Sequence, residues 1–299
     1  MDPGVVSNQR GRLEVLDYRK MFRVKPGETL KLRKIDPAYK GKQESEAAAK
    51  EDTERYTKKL AGQQALLYAE NKHSILVVLQ AMDAGGKDGT IKHVFSSVNP
   101  QGVRVARFNR PTALESAHDF LWRVHPHVPA FGEIAIFNRS HYEDVLVARV
   151  HKLVNKAAWT ERYRHIRDFE ALLADKKTTV LKFFLHVSKD EQLARFAQRL
   201  DDPERNWKIS ESDYAERNLW DEYMEAYQDA ITATSARDAP WYVIPSNHKW
   251  FRNLAVSQIL ADTMADLNLA FPPSSVNLAD IRRKYHAAVQ EAKEDGKKP

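Results

Sequence analysis

Between Ser74 and His93 the chain reads SILVVLQAMDAGGKDGTIKH, and no other stretch constrains the fold as tightly. Its first residues, Ser74 to Leu79, form a nearly all-apolar run, the pattern of a central parallel strand buried on both faces. The run breaks into a Gly-rich turn, and a helix is expected to open near Asp88. Strand, glycine turn, lysine and helix in that order make a phosphate cradle. The glycines let backbone N–H groups converge, and the helix N-terminus adds a partial positive field. The usual loop begins with Gly and has Ser or Thr directly after its Gly-Lys pair. Here Ala81 stands first and Asp88 last. The GxGxxG spacing of dinucleotide-binding turns is absent.

Within this loop Ala84, Gly85, Gly86, Lys87, Asp88, Gly89 and Thr90 are the candidate phosphate-binding positions. Lys87 supplies a mobile ammonium for phosphate oxygens. Asp83 is unusual, because a bare carboxylate repels phosphate; it makes sense if it orients a metal ion or a metal-bound water. It could equally accept the proton of an attacking phosphate. Asp88 reads either as a carboxylate favoured by the helix dipole or as a site group, and the sequence does not choose. Thr90 lies two positions late for the standard magnesium role. On the loop alone, a Gly turn with no ligand stays open.

Further strands are expected at 103–108, 134–137, 180–185 and 241–244, with helices at 88–97, 112–123, 142–154, 162–172, 189–199 and 250–268. Strands alternating with helices predict an α/β protein with three α/β/α layers around a parallel central sheet. Residues 1–70 read as an irregular arm followed by a long helix from about Glu44. Residues 71–270 read as the core, with a lid at about 200–222, and 271–299 as a tail or helix. The 299 residues contain no cysteine, which excludes disulfides, thiolate metal sites and a cysteine nucleophile. No apolar run approaches the roughly 20 residues that span a bilayer, and the first residues lack the apolar core of a secretory signal. A soluble cytoplasmic protein is the expectation. The net charge of +6 serves either plain solubility or a polyanionic partner. No zinc-finger spacing or RNA-recognition signature points to nucleic acid.

Cations cluster where such a site needs them. After the strand at 134–137 come Asn138, Arg139, His141, Glu143 and Asp144; ligands of open α/β sheets bind beyond the carboxyl ends of strands. Arg139 can clamp phosphate through paired donors, whereas His141 reads as a cap, a core-edge residue or a substrate contact. Asn109 and Arg110 follow the strand at 103–108. In the helix expected after them, Leu114, His118 and Phe120 to Trp122 form the buried side. Glu115, Asp119 and Arg123 make an intrahelical ion network, unless Arg123 grips an anion instead. Arg195, Arg199, Arg205 and Lys208 flank a turn-rich insertion that reads either as a lid or as a solvated charged helix end. Lys249 and Arg252 open the last core helix. A cradle with this many cations meets the demands of phosphoryl transfer. The surplus favours a long polyanion or two phosphorylated substrates.

The motifs MDAGGKDG (82–89), FNRPT (108–112), HDFLWR (118–123), FNRSHYEDV (137–145), RLDDPERNWK (199–208) and APWYVIPSNHKWFRN (239–253) together resemble the family 2 polyphosphate kinases. These are phosphate-loop kinases related in fold to thymidylate kinases. The resemblance implies Mg²⁺-dependent phosphate transfer between inorganic polyphosphate and a nucleotide. It implies Asp83, Lys87 and Arg139 as the active centre, with Asp83 as metal ligand and a basic helical lid over it. It implies phosphate contacts from the loop and from Arg123, Arg195, Arg199, Lys208, Lys249 and Arg252. Nucleotide contacts are implied for Asn109, Arg110, Asn138, Arg139, His141 and Glu143. Many members have Asp where this chain has Asn138, which weakens a two-aspartate metal site. The form Asn138 to Asp144 resembles the class that phosphorylates both AMP and ADP, ending in ATP. A homo-oligomer, dimer or tetramer, is the expected assembly. An ATP-using nucleoside monophosphate kinase and a noncatalytic nucleotide switch are the alternatives.

Overall fold

Four largely apolar segments and the mixed segment VRVAR become five strands in the computed structural model, which describes residues 16–41 and 45–295. They are β1 (Ser74–Gln80), β2 (Val103–Arg107), β3 (Ile134–Asn138), β4 (Thr178–His186) and β5 (Trp241–Pro245). All pair in parallel, in the order β2-β3-β1-β4-β5. The helices are α1 (Tyr18–Phe22), α2 (Glu46–Glu70), α3 (Lys87–Val94), α4 (Ala113–Ser116), α5 (Val147–Val150), α6 (Lys156–Asp175), α7 (Lys189–Asp201), α8 (Glu211–Asn218), α9 (Trp220–Thr234), α10 (Lys249–Ala265) and α11 (Leu278–Asp295).

Strand alternation sends side chains to two separate cores, giving three layers. Leu76, Val78, Ala135, Phe137, Val180 and Phe184 pack on one face, against α6 and α9. Ile75, Val77, Leu79, Ile134, Ile136, Leu181 and Phe183 pack on the other, against α2 and α10. The expected three-layer α/β/α fold with a parallel sheet is the one observed, and α8 with its flanking turns forms a helical lid. Ser45 caps α2 by accepting from the Ala48 N–H, and the buried Tyr56, Leu60 and Leu67 seat it against the core. Residues 1–15 of the expected arm lie outside the described residues. Among the described residues no helix is long and apolar enough to cross a membrane.

Two expected helices shrink. The one at 112–123 is a single turn, α4, started by a capping box between Thr112 and Glu115. It stops because the Asp119 carboxylate accepts from the N–H groups of Leu121 and Trp122 and bends the chain. Leu114 is 63% exposed and Trp122 40%, so neither belongs to a core; Trp122 stacks on His118 instead. The helix expected at 142–154 is a 3-10 turn at His141–Asp144 followed by the short α5.

The apolar face holds one charged cluster. Lys182 in β4 is fully buried, with its ammonium 2.5 Å from the Glu170 carboxylate and donating to the Thr234 carbonyl. Glu170 also accepts from the Tyr142 hydroxyl. Burial works against the Glu170 charge, but Lys182 holds that carboxyl below its ordinary range. Lys182→Met should cost roughly 3–5 kcal/mol of stability, because it strips a buried carboxylate of its ammonium partner. Urea denaturation of the variant measures this, and an unchanged midpoint would contradict the pairing.

Candidate active site

Strand register places the site. Leu79, one residue from the end of β1, lies opposite Asn138, the last residue of β3, and opposite Phe183 in β4. The loop leaving β1 therefore rises beside the turn leaving β3, at the carboxyl edge where α/β sheets bind ligands. The Arg139 N–H donates to the Leu79 carbonyl and joins the two ends directly. Arg139 takes a left-handed φ of 61°, uncommon for a non-glycine residue and the kind of strain that collects at functional sites.

In the loop, the Gly85 N–H closes a turn onto the Met82 carbonyl. Gly86 has φ 106° with the Arg252 guanidinium against it, so a side chain there would collide. Lys87 begins α3 and donates to the Ala81 carbonyl at 2.8 Å, holding the ammonium across the loop. Burial lowers the Lys87 ammonium below its ordinary value, and Asp83 pulls it back. The Asp83 carboxylate accepts from Arg139 at 2.9 Å. Burial works against the Arg139 charge, but Glu143 and Asp83 overcome it and raise the guanidinium above its ordinary value. Burial in turn raises the Glu143 carboxyl, opposed by Arg139 and Lys87.

A cleft of about 490 Å³ opens beside these groups. It gathers Asp83, Asn109, Arg110, Arg123, Arg139 and Glu143, six of the sequence-predicted positions. Asp144 also lines it, with Ser212 and Glu216 from the lid and Tyr223 and Tyr227 from α9. Sequence reasoning misses the lid and α9 residues, since their amphipathic run carries no motif. Arg123 is buried against the Phe108 ring and donates to the Asn109 carbonyl, so it shapes the cleft wall. A larger groove of about 720 Å³ lies between residues 118–125 and α6. No residue of the phosphate loop lines it, so the chemistry belongs to the smaller cleft.

A second group of cations meets on the other side of the loop. Lys249 and Arg252 at the start of α10 lie near Arg195, and burial with Arg195 beside it pushes Arg252 down to about 9. Burial, together with Arg195 and Arg205, also lowers the Lys249 ammonium. Asp88, ambiguous in sequence, sits between elements. It accepts from Asn138 at 2.8 Å and lies 3.8 Å from the Lys208 ammonium of the lid. Burial works against its charge, but Asn138 and Lys208 hold it below the ordinary carboxylate range.

Four expectations change. His141 is fully buried against Phe137, Tyr142 and Phe169, 3.3 Å from Glu170, and does not line the cleft. The 3-10 turn after Ser140 directs it into the core. Thr90 is buried with its hydroxyl on the Gly86 carbonyl; α3 begins at Lys87, so Thr90 falls on the second turn's inner side. Arg195 is 5% exposed and donates to Glu191 and to the carbonyls of Ala84, Ser246 and Asn247, a clamp on backbone rather than an open anion contact. Arg199 lies over the Phe196 ring and donates to the Lys208 carbonyl, bracing the lid.

Comparison with known proteins agrees with this geometry. Residues 43–272 match the model of the Polyphosphate kinase 2 (PPK2) family. An AMP/ADP-polyphosphate phosphotransferase of Meiothermus ruber is 55% identical over 257 residues, spanning 85% of this chain and 95% of the relative. An ADP-polyphosphate phosphotransferase of Rhodopseudomonas palustris is 44% identical over 272 residues, 86% of this chain and 93% of the relative. The crystal structure of Polyphosphate Kinase 2 from Arthrobacter aurescens TC1 superposes with a TM-score of 0.87 at 41% identity, covering 90% of this chain and 96% of that one. A phosphate loop at the end of β1, an Asp83–Arg139 pair beside it and a match over residues 43–272 place this chain in the polyphosphate kinase 2 family.

Proposed function

We propose that the chain transfers the terminal phosphate of inorganic polyphosphate to AMP and to ADP, forming ADP and ATP with Mg²⁺. The observation that carries this reading is the 55% identity, over 95% of its length, to a relative that bears the AMP/ADP-polyphosphate phosphotransferase name. The electrostatics support it. Phosphoryl transfer asks the protein chiefly for placement and charge neutralisation, and Lys87 in the loop stands near Arg139, which lines the cleft, with further cations at the start of α10.

Asp83 fits a magnesium role. Mg²⁺ keeps several waters and takes one or two carboxylates together with substrate phosphates, and Asp83 offers one partly exposed carboxylate with the half-buried Glu143 nearby. When bound, the ion neutralises phosphate charge and orients the transferred group. Lys87 and Arg139 would hold the oxygens of the transferred phosphate, while Asn109 and Arg110 at the cleft mouth meet the nucleotide. A phosphate nucleophile is already ionised near neutral pH, so no protein group has to remove a proton. The lid above excludes water, which would otherwise divert the phosphate. The apolar stripe Leu278, Ile281 and Tyr285, exposed on α11, supports a homo-oligomeric enzyme.

The test supplies AMP, polyphosphate and Mg²⁺ to the purified protein and resolves AMP, ADP and ATP over time. ADP should rise first and ATP follow. ADP as the sole product would remove ADP from the acceptors, and transfer only when ATP replaces polyphosphate would overturn the reading.

A further inference from the structure

We propose that Arg217, Gln192 and Arg195 are positioning residues that let the lid set the backbone of the phosphate loop. The Gln192 side-chain N–H donates to the Asp83 carbonyl at 2.9 Å, and Arg195 donates to the next carbonyl, Ala84, also at 2.9 Å. Both side chains come from one face of α7, three residues apart, and both are almost fully buried. Two consecutive loop carbonyls are thus turned toward α7. In a planar trans peptide the N–H opposes the carbonyl, so the Ala84 N–H is aimed away from α7. Ala84 holds a left-handed φ of 58°. That conformation costs an L residue energy and persists only where its surroundings enforce it.

The link to the lid is a third hydrogen bond. Arg217 on α8 donates to the Gln192 side-chain oxygen at 3.0 Å and to the Lys189 carbonyl. The Gln192 amide is therefore used at both ends: its oxygen faces the lid and its nitrogen faces the loop. This arrangement also orients the amide, because a reversed group would present two oxygens to each other and two donors to each other. The neighbouring Glu216 reaches the opposite wall, where its carboxylate meets His151 at 2.9 Å. α8 is thus tied both to α7 and to His151 in the cleft wall, and its seating bears on Asp83 through the buried Gln192 amide. When α8 lifts, Gln192 loses the partner that orients it, and the Asp83 peptide loses its fixed direction. Lid closure and loop preorganisation become one event.

The test compares Arg217→Met, Gln192→Glu and the double variant. Gln192→Glu keeps an acceptor for Arg217 and sets an oxygen against the Asp83 carbonyl. Amide hydrogen exchange of the ligand-free proteins is read over residues 82–90 and over α8. Each single variant should speed exchange at 82–90 by about three- to tenfold, the scale of one lost hydrogen bond. The double variant should exchange no faster there than the faster single, because both act on one path. Arg217 is partly exposed, so Arg217→Met reports even if Gln192→Glu misfolds. Faster exchange confined to α8, or fold-changes that multiply in the double variant, overturns the relay.

A kinetic arm rests on the proposed phosphate transfer. Arg217→Met should lower kcat while KM for AMP stays within about twofold, since the loss lies in transition-state placement rather than ground-state binding. A rise in KM with kcat unchanged contradicts a positioning role. Exchange changes in a protein inactive with polyphosphate would refute the proposed function and leave the relay standing.

Discussion

Lys87→Ala should lower kcat for phosphate transfer from polyphosphate by about 10²–10³-fold, the cost of removing one preorganised charged donor from a transition state. The ammonium is held across the loop by the Ala81 carbonyl and sits among Asp83, Arg139 and Asp88. It is oriented before substrate arrives and needs little rearrangement at the moment of transfer. The expected signature is a fall in kcat and in kcat/KM of similar size. Lys87 is the first residue of α3 and belongs to neither apolar core, so circular dichroism and thermal midpoint should stay close to wild type. Single-turnover rates with AMP and polyphosphate decide the matter. A variant within a few fold of wild type would remove Lys87 from the centre.

Asp83→Asn should be as damaging, for a different reason. The substitution keeps the shape of the side chain and deletes its charge. Arg139 then loses its ion-pair partner at 2.9 Å, and only part of its countercharge remains, from Glu143. Tighter ground-state binding of polyphosphate is therefore expected together with slower turnover, by about 10²-fold or more. If Asp83 also holds Mg²⁺, the Mg²⁺ concentration for half-maximal rate should rise well above wild type. Titration of Mg²⁺ at fixed polyphosphate reads this apart from the rate itself. A rate near wild type, with an unchanged Mg²⁺ requirement, would assign the role elsewhere in the cleft.

Both effects trace to residues whose chemistry is legible in the sequence. The loop carries its own logic, because glycine, lysine and a strand-to-helix junction are local in sequence and their chemistry follows from backbone geometry. The inner strands are equally legible, because apolar runs such as those of β1 and β3 suit a parallel sheet covered on both faces; β2, VRVAR at the sheet edge, carries a weaker signal. The helix expected at 112–123 fails for a physical reason. Glu115, Asp119 and Arg123 fit an ion-pair spacing, while the Asp119 carboxylate prefers backbone donors.

What the sequence by itself determined is the α/β order, the parallel sheet, the cradle after β1 and the surplus of cation. Only the tertiary structure decided which way each of those cations faces. Arg110 and Arg139 line the cleft, while Arg195 lies buried on loop carbonyls and Arg252 lies against Gly86. It also turned His141 inward to Glu170 and joined Asp88 to Asn138 and Lys208. The reason is physical. Residue type sets what a side chain can bond, but partners some fifty to a hundred residues away, such as Asn138 for Asp88 and Gln192 for Asp83, are chosen by packing. No local spacing encodes them.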